Sequence, residues 1–259
     1  MATVKLSVED RVAYIQLNRP EALNSLDIPM LDELEEILGT VAAEKTIRAV
    51  VLSGNGRAFC TGADLKTVIR LFDTWSEYVS FLYKLSDTFR TIEELPIPTI
   101  AQVHGFALAG GLELMLCCDL AVASEDAMIG DQHANFGLIA GAGCIPRLIR
   151  SIGKQAALEI LYTGKWMSGA EAAEKGIVLR AVAENELSAT VSTITDSLAE
   201  KSRESLKYIK RAALAGLDVP LESALNEERA ALLEYFTTSN DPREGIAAFL
   251  EKRAPNFSD

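Results

Sequence analysis

Gly110 and Glu113 stand three residues apart at the start of a predicted helix, Leu112 to Cys118, directly after the Gly-rich run Gly105-Phe-Ala-Leu-Ala-Gly110-Gly111. The first N–H groups of a helix have no internal acceptor and carry the positive end of its dipole, and a glycine there lets a carbonyl oxygen approach closely. Glu113, one turn on, projects to the same side. An amide donor for a developing oxyanion and a carboxylate for proton transfer would then share a pocket, as chemistry next to a carbonyl requires. The same two residues also suit a glycine needed for close packing and a glutamate interacting with the N-terminus of its own helix, and spacing leaves both readings open.

Other chemistry-bearing patterns fail. Gly105 and Gly110 have the spacing of a Walker loop, but Gly111 and Leu112 stand where Lys and Ser/Thr are required. Gly141-Ala-Gly143 begins a dinucleotide fingerprint that Pro146 ends. His104 and His133, 29 residues apart, belong to no H-x-x-x-H or H-E-x-x-H pattern, so no metal site is expected. A Ser-His-Asp triad lacks its G-x-S-x-G elbow. His104, which precedes Gly105 at a strand end, reads as structural.

The elements around these residues alternate. Val4, Leu6 and Val8 begin a strand, Val12 to Leu17 and Ala49 to Leu52 are β-branched runs, and Met30 to Ala43 places Leu31, Leu34, Ile37, Leu38 and Val41 at helical spacing. Trp75 to Leu95 predicts a helix ending before Pro96 and Pro98, and Thr99 to Val103 a buried strand. Strands are expected at Leu120 to Ala123 and Met128 to Ile129. Beyond Lys154 the character is mostly helical, with a capping box at Ser168-Gly-Ala-Glu171, a stop at Gly176, a last strand at Val178 to Val182 and three further helices. The last of these would start with Asp241 as N-cap and Pro242 at the first helical position, and run to about Arg253. No linker or repeat of 20 to 50 residues interrupts this α/β pattern.

Composition bounds the partners. The 259 residues carry 25 Lys+Arg against 37 Asp+Glu, a net charge of −12, and 49% of them are hydrophobic. A globular α/β protein is expected, and nucleic acid or an anionic membrane surface is a poor partner for it. Lys207, Lys210 and Arg211 cluster on one predicted helix and read as a solvated face or as a contact to a ligand from a neighbouring subunit. The four cysteines, Cys60, Cys117, Cys118 and Cys144, form no C-x-x-C pair, and no basic and apolar leader or apolar run of about 18 residues is visible, so a cytoplasmic protein with reduced thiols is expected.

Several segments resemble one family. Gly56-Arg-Ala-Phe-Cys-Thr-Gly-Ala-Asp-Leu-Lys66, Ala101-Gln-Val-His-Gly-Phe-Ala-Leu-Ala-Gly-Gly-Leu-Glu-Leu114 with Cys118-Asp119, Leu17-Asn-Arg-Pro-Glu-Ala-Leu-Asn-Ser-Leu26, Gly137-Leu-Ile-Ala-Gly-Ala-Gly143 with Arg147-Leu148, and Ala247 to Arg253 with Pro255-Asn-Phe257 are similar, in this order, to motifs of the crotonase superfamily of enoyl-CoA hydratases and isomerases. The resemblance implies an α/β spiral of ββα turns over residues 1–200 that binds acyl-CoA. Residues 201–259 would form a helical trimerisation region that closes the CoA site, in a homotrimer or a hexamer built as a dimer of trimers. The backbone N–H groups of Ala63 and Gly110 would form an oxyanion hole for the thioester carbonyl. CoA would lie along Arg19, Ala22 and Leu23 and along Arg57, Ala58, Asp64, Leu65 and Lys66, with Arg57 and Lys66 as phosphate partners. No metal and no cofactor is implied, coenzyme A being part of the substrate.

One departure bears on the reaction. In the hydratases two glutamates hold the attacking water; one matches Glu113, and counting back from Gly137 puts His133 where the other belongs. A Glu113/His133 pair is chemically competent, because a carboxylate nearby favours the charged imidazole. It suits reversible hydration of a 2-enoyl-CoA, and also a 3,2-enoyl-CoA isomerase, a C–C bond or thioester hydrolase, or a non-catalytic acyl-CoA-binding protein. Asp131, two residues away, is a further candidate. Ala109 and Ala140 replace a glycine and a proline usual in the family. Trp75, Tyr78, Phe81, Leu82 and Leu85 form a stripe that would line the acyl pocket or pack as core.

Overall fold

The computed structural model describes residues 2–257; Met1, Ser258 and Asp259, at the ends of the two expected spans, lie outside the described residues. The strands are β1 (Val4–Glu9), β2 (Val12–Leu17), β3 (Ala49–Gly54), β4 (Thr99–Val103), β5 (Phe106–Leu108), β6 (Leu120–Ser124), β7 (Met128–Gly130), β8 (Met167–Ser168) and β9 (Arg180–Val182). The helices are α1 (Ile28–Ala43), α2 (Leu65–Leu71), α3 (Trp75–Glu93), α4 (Gly110–Leu116), α5 (Cys144–Ile152), α6 (Lys154–Thr163), α7 (Gly169–Glu174), α8 (Glu184–Ala199), α9 (Arg203–Gly216), α10 (Leu221–Thr238) and α11 (Asp241–Glu251).

The strands form two sheets. The larger has the order β1-β2-β3-β4-β6-β9, antiparallel only between β1 and β2, and the smaller has the order β5-β7-β8. Each turn sends a strand through the larger sheet, a short strand through the smaller one and then a helix: β4, β5, α4 is one turn, and β6, β7, α5 the next. The turn before them reaches the smaller sheet only through an isolated parallel bridge between Cys60 and Ala107. Ala49 to Leu52 are all buried, as expected of a parallel strand covered on both faces. α1 buries Met30, Leu31, Leu34, Leu38 and Val41 at helical spacing, and Asp27 caps it by accepting the Met30 N–H at 3.0 Å.

The expected ββα spiral is thus present, and the capping box at Ser168 and Glu171 is formed. Three local expectations change. Four helices, not three, follow β9, because Ser202 interrupts the helical run and caps α9 by accepting the Ser205 N–H at 3.0 Å. Asp241 is not a cap: its buried carboxylate takes the Ser202 hydroxyl at 2.5 Å, and α11 begins at Asp241 itself. The basic cluster on α9 is a solvated face only in part: Lys210 is buried against Asp119 at 2.8 Å, while the half-buried Lys207 meets Glu204 at 2.9 Å and the exposed Arg211 meets Glu234 at 2.6 Å. Arg203 also donates to the carbonyls of Ile47 (3.2 Å) and Ala42 (3.1 Å), so α9 is tied to the spiral by buried cations. Among the described residues, no helix is long and apolar enough to cross a membrane.

Candidate active site

The two Gly-rich loops touch at Gly62 and Gly110. A Cβ on Gly62 would lie 2.7 Å from the Gly110 nitrogen, and one on Gly110 would lie 3.0 Å from the Gly62 Cα and 3.3 Å from the Ala63 nitrogen. Only side-chain-free residues allow this approach, and Gly62 also has φ +93°. The peptide between Gly62 and Ala63 is fixed from its carbonyl side, where Gly62 O accepts the Leu26 N–H at 2.8 Å. Its N–H therefore points away from Leu26. Gly110 opens α4, where no intrahelical acceptor exists. Among the described residues neither the Ala63 nor the Gly110 N–H has a hydrogen-bond acceptor.

Ala109 makes the sharp entry into α4, with φ +50° and ψ −118°, a conformation suited to glycine. Its N–H is held by Gly130 O at 3.0 Å and its carbonyl accepts the Glu113 N–H at 3.1 Å. The glycine that the sequence resemblance leads one to expect at this position is thus the residue the backbone favours, and the alanine is tolerated with strain.

Ala63, Gly110, Glu113 and His133 line one cavity of about 490 Å³. Tyr78, Phe81, Leu82 and Leu85 of α3 form part of its apolar wall, with Phe136 and Trp166 also lining it. The expected stripe is therefore a pocket lining except at Trp75, which is 73% exposed and packs on Tyr78 at 5.8 Å between ring centroids.

Glu113 is buried, but it does not interact with its own helix. Its Oε1 accepts the N–H groups of Ala142 (2.8 Å) and Cys144 (3.0 Å), at the start of α5. Burial pushes its pKa above 4.5; the Cys144 amide, the His133 charge and the Ala142 amide oppose the rise, and the charge of Asp131 adds to it. His133 begins a 3-10 turn, His133–Phe136, and its Nδ1 is hydrogen-bonded to Oδ1 of the buried Asp131. Burial alone would lower its pKa, but the bond and charge of Asp131 together with the charge of Glu113 prevail and raise it above 6.5. The Cys144 thiol, buried and close to both acids, is pushed up as well.

The 142–144 segment that holds Glu113 is itself held. Arg147 donates to Ala142 O at 2.9 Å, and a Cβ on Gly143 (φ +111°) would lie 1.9 Å from the Arg147 guanidinium. Arg147 reaches back to Glu93 of α3 with two hydrogen bonds.

The residues expected at CoA divide. Leu65 lines the cavity, and the exposed Lys66 follows it in α2. Arg57 and Lys66 are exposed and, among the described residues, make no ion pair. Arg19 is engaged by Asp27 at 3.0 Å and Asp64 at 3.1 Å, with a further bond to Ser25 O at 2.6 Å. Asp64 caps α2 by accepting the N–H groups of Lys66 (3.0 Å) and Thr67 (3.2 Å). Burial raises its carboxyl pKa, but those two amides and Arg19 outweigh it and hold the group below its ordinary value. Ala58 is buried, its carbonyl taken by the Asn24 amide at 2.7 Å, while Ala22 and Leu23 are half-buried at the turn that leads to Asn24. His104 is structural, its Nε2 bonded to Gly56 O at 2.8 Å.

Residues 7–259 match the enoyl-CoA hydratase/isomerase family. An enoyl-CoA hydratase of Bacillus anthracis superposes with a TM-score of 0.93 at 35% identity, over 98% of each chain. One of Mycobacterium smegmatis does so at 0.93 and 34%, over 99% of each. The crotonyl-CoA hydratase of Syntrophomonas wolfei is 33% identical over 253 residues, 97% of this chain and 96% of its own. The chain belongs to the enoyl-CoA hydratase/isomerase family, within the crotonase superfamily, and is an enzyme of that family. In this family member, sequence reasoning missed Asn24, Arg147 and the backbone amides of Ala142 and Cys144 as parts of the site's support. The first two lie inside recognised motifs without a role suggested by their spacing, and the amides have no side-chain signature at all.

Proposed function

We propose that this protein catalyses the reversible hydration of a 2-enoyl-CoA through a thioester enolate. The observation that carries the reading is the convergence of two acceptor-free amides, Ala63 and Gly110, with Glu113 and His133 on one apolar-walled cavity. The thioester oxygen accepts both N–H groups, which stabilise the negative charge that reaches it when water adds at C3; one such donor is worth about 2.7–4 kcal/mol. Water lies between Glu113 and His133. The Glu113 carboxylate takes its proton as the O–C3 bond forms, and the His133 imidazolium gives a proton to C2 as the C2=C3 π bond is consumed. The raised pKa of His133 supports its being charged before the reaction.

The apolar wall from α3 takes the acyl group, and Leu65 and Lys66 extend the oxyanion-hole loop toward the CoA phosphates, with Arg57 as the second free cation. Arg19, Asp64 and Ala58 support that loop from behind, and Ala22 and Leu23 border it. Hydration moves no electrons between substrates, so the reaction needs no redox cofactor; the two amide donors do at the thioester oxygen what a Lewis acid would do, and coenzyme A enters with the substrate. Residues 1–200 form the acyl-CoA-binding unit, and residues 201–259 the oligomerisation region of a homotrimer or a hexamer: Leu217, Leu221, Leu233 and Phe249 are more than half exposed there and would be covered by neighbouring copies. Four free thiols, three of them buried, favour a cytoplasmic setting.

The test is a panel of thioesters. Crotonyl-CoA is expected to lose its conjugated enoyl-thioester absorbance, and Glu113→Gln to slow this about 100- to 10,000-fold. Migration of the double bond in a 3-enoyl-CoA without water uptake would replace hydration by isomerisation, and release of free CoA would replace it by hydrolysis. No turnover of any thioester, with no CoA-dependent thermal shift, would sink the enzymatic reading.

A further inference from the structure

Asp131 is buried and stands behind His133: it bonds Nδ1 but does not line the cavity that His133 faces. A carboxylate only accepts hydrogen bonds, so Nδ1 must carry the hydrogen, leaving Nε2 at the far side of the ring to exchange with the cavity. The other charged groups around this pair are Glu113, close enough to act on His133, and Arg147, on which Glu113 acts; the Cys144 thiol lies near both acids. In the hydratases that the chain resembles the second water-binding group is a glutamate. An imidazole in its place has two neutral tautomers, and only the Nδ1–H one is reached by giving up the proton at the cavity-facing Nε2.

We propose that Asp131 is a positioning residue that fixes the tautomer and ring orientation of His133, so that a His–Asp pair does the work that a single carboxyl group does elsewhere in the family. The proposal rests on the hydratase reading for its kinetic consequence, but not for its structural one. With the Nδ1–H tied to Asp131 throughout, the proton that leaves and returns is always the one at Nε2. Hydration is then balanced on this site: His133 loses the Nε2 proton to C2, Glu113 gains one from water, and the two re-equilibrate through the cavity before the next turnover.

Two measurements test it. In protein labelled with 15N-histidine the two histidines give two sets of ring signals, which His104→Gln assigns. At alkaline pH neutral His133 is expected as the Nδ1–H tautomer; an Nε2–H tautomer in the unmodified protein would overturn the proposal, whatever the activity. In steady-state kinetics Asp131→Asn is expected to lower kcat about tenfold or more, with KM changed less than about twofold, as part of the roughly 100- to 10,000-fold a proton-transfer group contributes. It is also expected to move the alkaline limb of the profile to lower pH and to have no further effect in a His133→Ala background. An equal loss in both backgrounds would show that Asp131 acts independently of His133 and would refute the proposal. A protein with the expected tautomer but no thioester turnover would instead remove the hydratase reading and leave the positioning intact.

Discussion

Arg147 spans the carboxylate of Glu93 with two hydrogen bonds, Nε to Oε1 at 3.0 Å and Nη2 to Oε2 at 2.7 Å, while its Nη1 holds the carbonyl of Ala142. The peptide chain at Ala142 is thereby held from both sides, because its N–H holds Glu113. A planar five-donor guanidinium suits this geometry and an ammonium does not. Arg147→Lys is expected to lower kcat more than it raises KM and to cost about 1.5–3 kcal/mol of stability, the usual contribution of hydrogen bonds to a charged group. Urea unfolding with steady-state kinetics checks this; unchanged kcat would show that Glu113 is placed without the clamp.

The pH profile follows from two raised pKa values. Hydration as proposed needs Glu113 ionised and His133 protonated, so activity is expected to rise as pH passes the Glu113 value, above 4.5, and fall as it passes the His133 value, above 6.5. Stability has a related sign. The folded His133 binds its proton more tightly than the unfolded one, so its contribution is full below about 6.5 and is lost as pH rises through the folded value. His133→Gln should flatten that part of the curve of thermal midpoint against pH; an unchanged curve would mean that His133 gains nothing from Asp131 and Glu113.

How much of this was legible in the sequence depends on what each feature is made of. The helix at Gly110 and the candidacy of Glu113 are visible because glycine and glutamate sit one turn apart in a contiguous stretch. His133 is found by counting from Gly137. The Asp131–His133 bond is not predictable in the same way, since the two straddle the end of β7 and a 3-10 turn, where side-chain direction follows no period. The Arg147–Glu93 clamp joins residues 54 apart on different helices. β5 is only three residues long, and its apolar content reads equally well as the lead into a helix. The surplus C-terminal helix was hidden because the break at Ser202 lacks glycine and proline.

Asn24 gives a prediction about the loop that carries Ala63, one half of the proposed oxyanion hole. It is wholly buried; its Nδ2 donates to Asn55 O (2.9 Å) and Ala58 O (2.7 Å), and its Oδ1 accepts the Arg19 N–H (2.9 Å). Removing the amide leaves two carbonyls and one N–H to find other partners in a place with little water. Asn24→Ala is expected to cost about 2–4 kcal/mol and Asn24→Asp a comparable amount, since a carboxylate cannot donate to two carbonyls. Equilibrium unfolding of both variants measures it, and a loss below about 1 kcal/mol in each would contradict the clamp.

Ala109 offers the opposite kind of test, a gain. With φ +50° and ψ −118° an alanine carries strain of about 1–3 kcal/mol, whereas glycine adopts this region freely at an entropic cost of about 0.5–1 kcal/mol. Ala109→Gly is therefore expected to stabilise the fold by up to about 2 kcal/mol, a rise of a few degrees in Tm for a domain of this size. Ala109 lines the cavity at the start of α4, and a Cβ on Gly62 would come within 3.2 Å of its methyl. Its removal frees space without altering either amide donor, so kcat should be kept and KM for bulkier thioesters should fall. A lower Tm with unchanged kinetics would mean that the surrounding bonds to Gly130 O and Glu113 N, rather than intrinsic preference, set this backbone conformation.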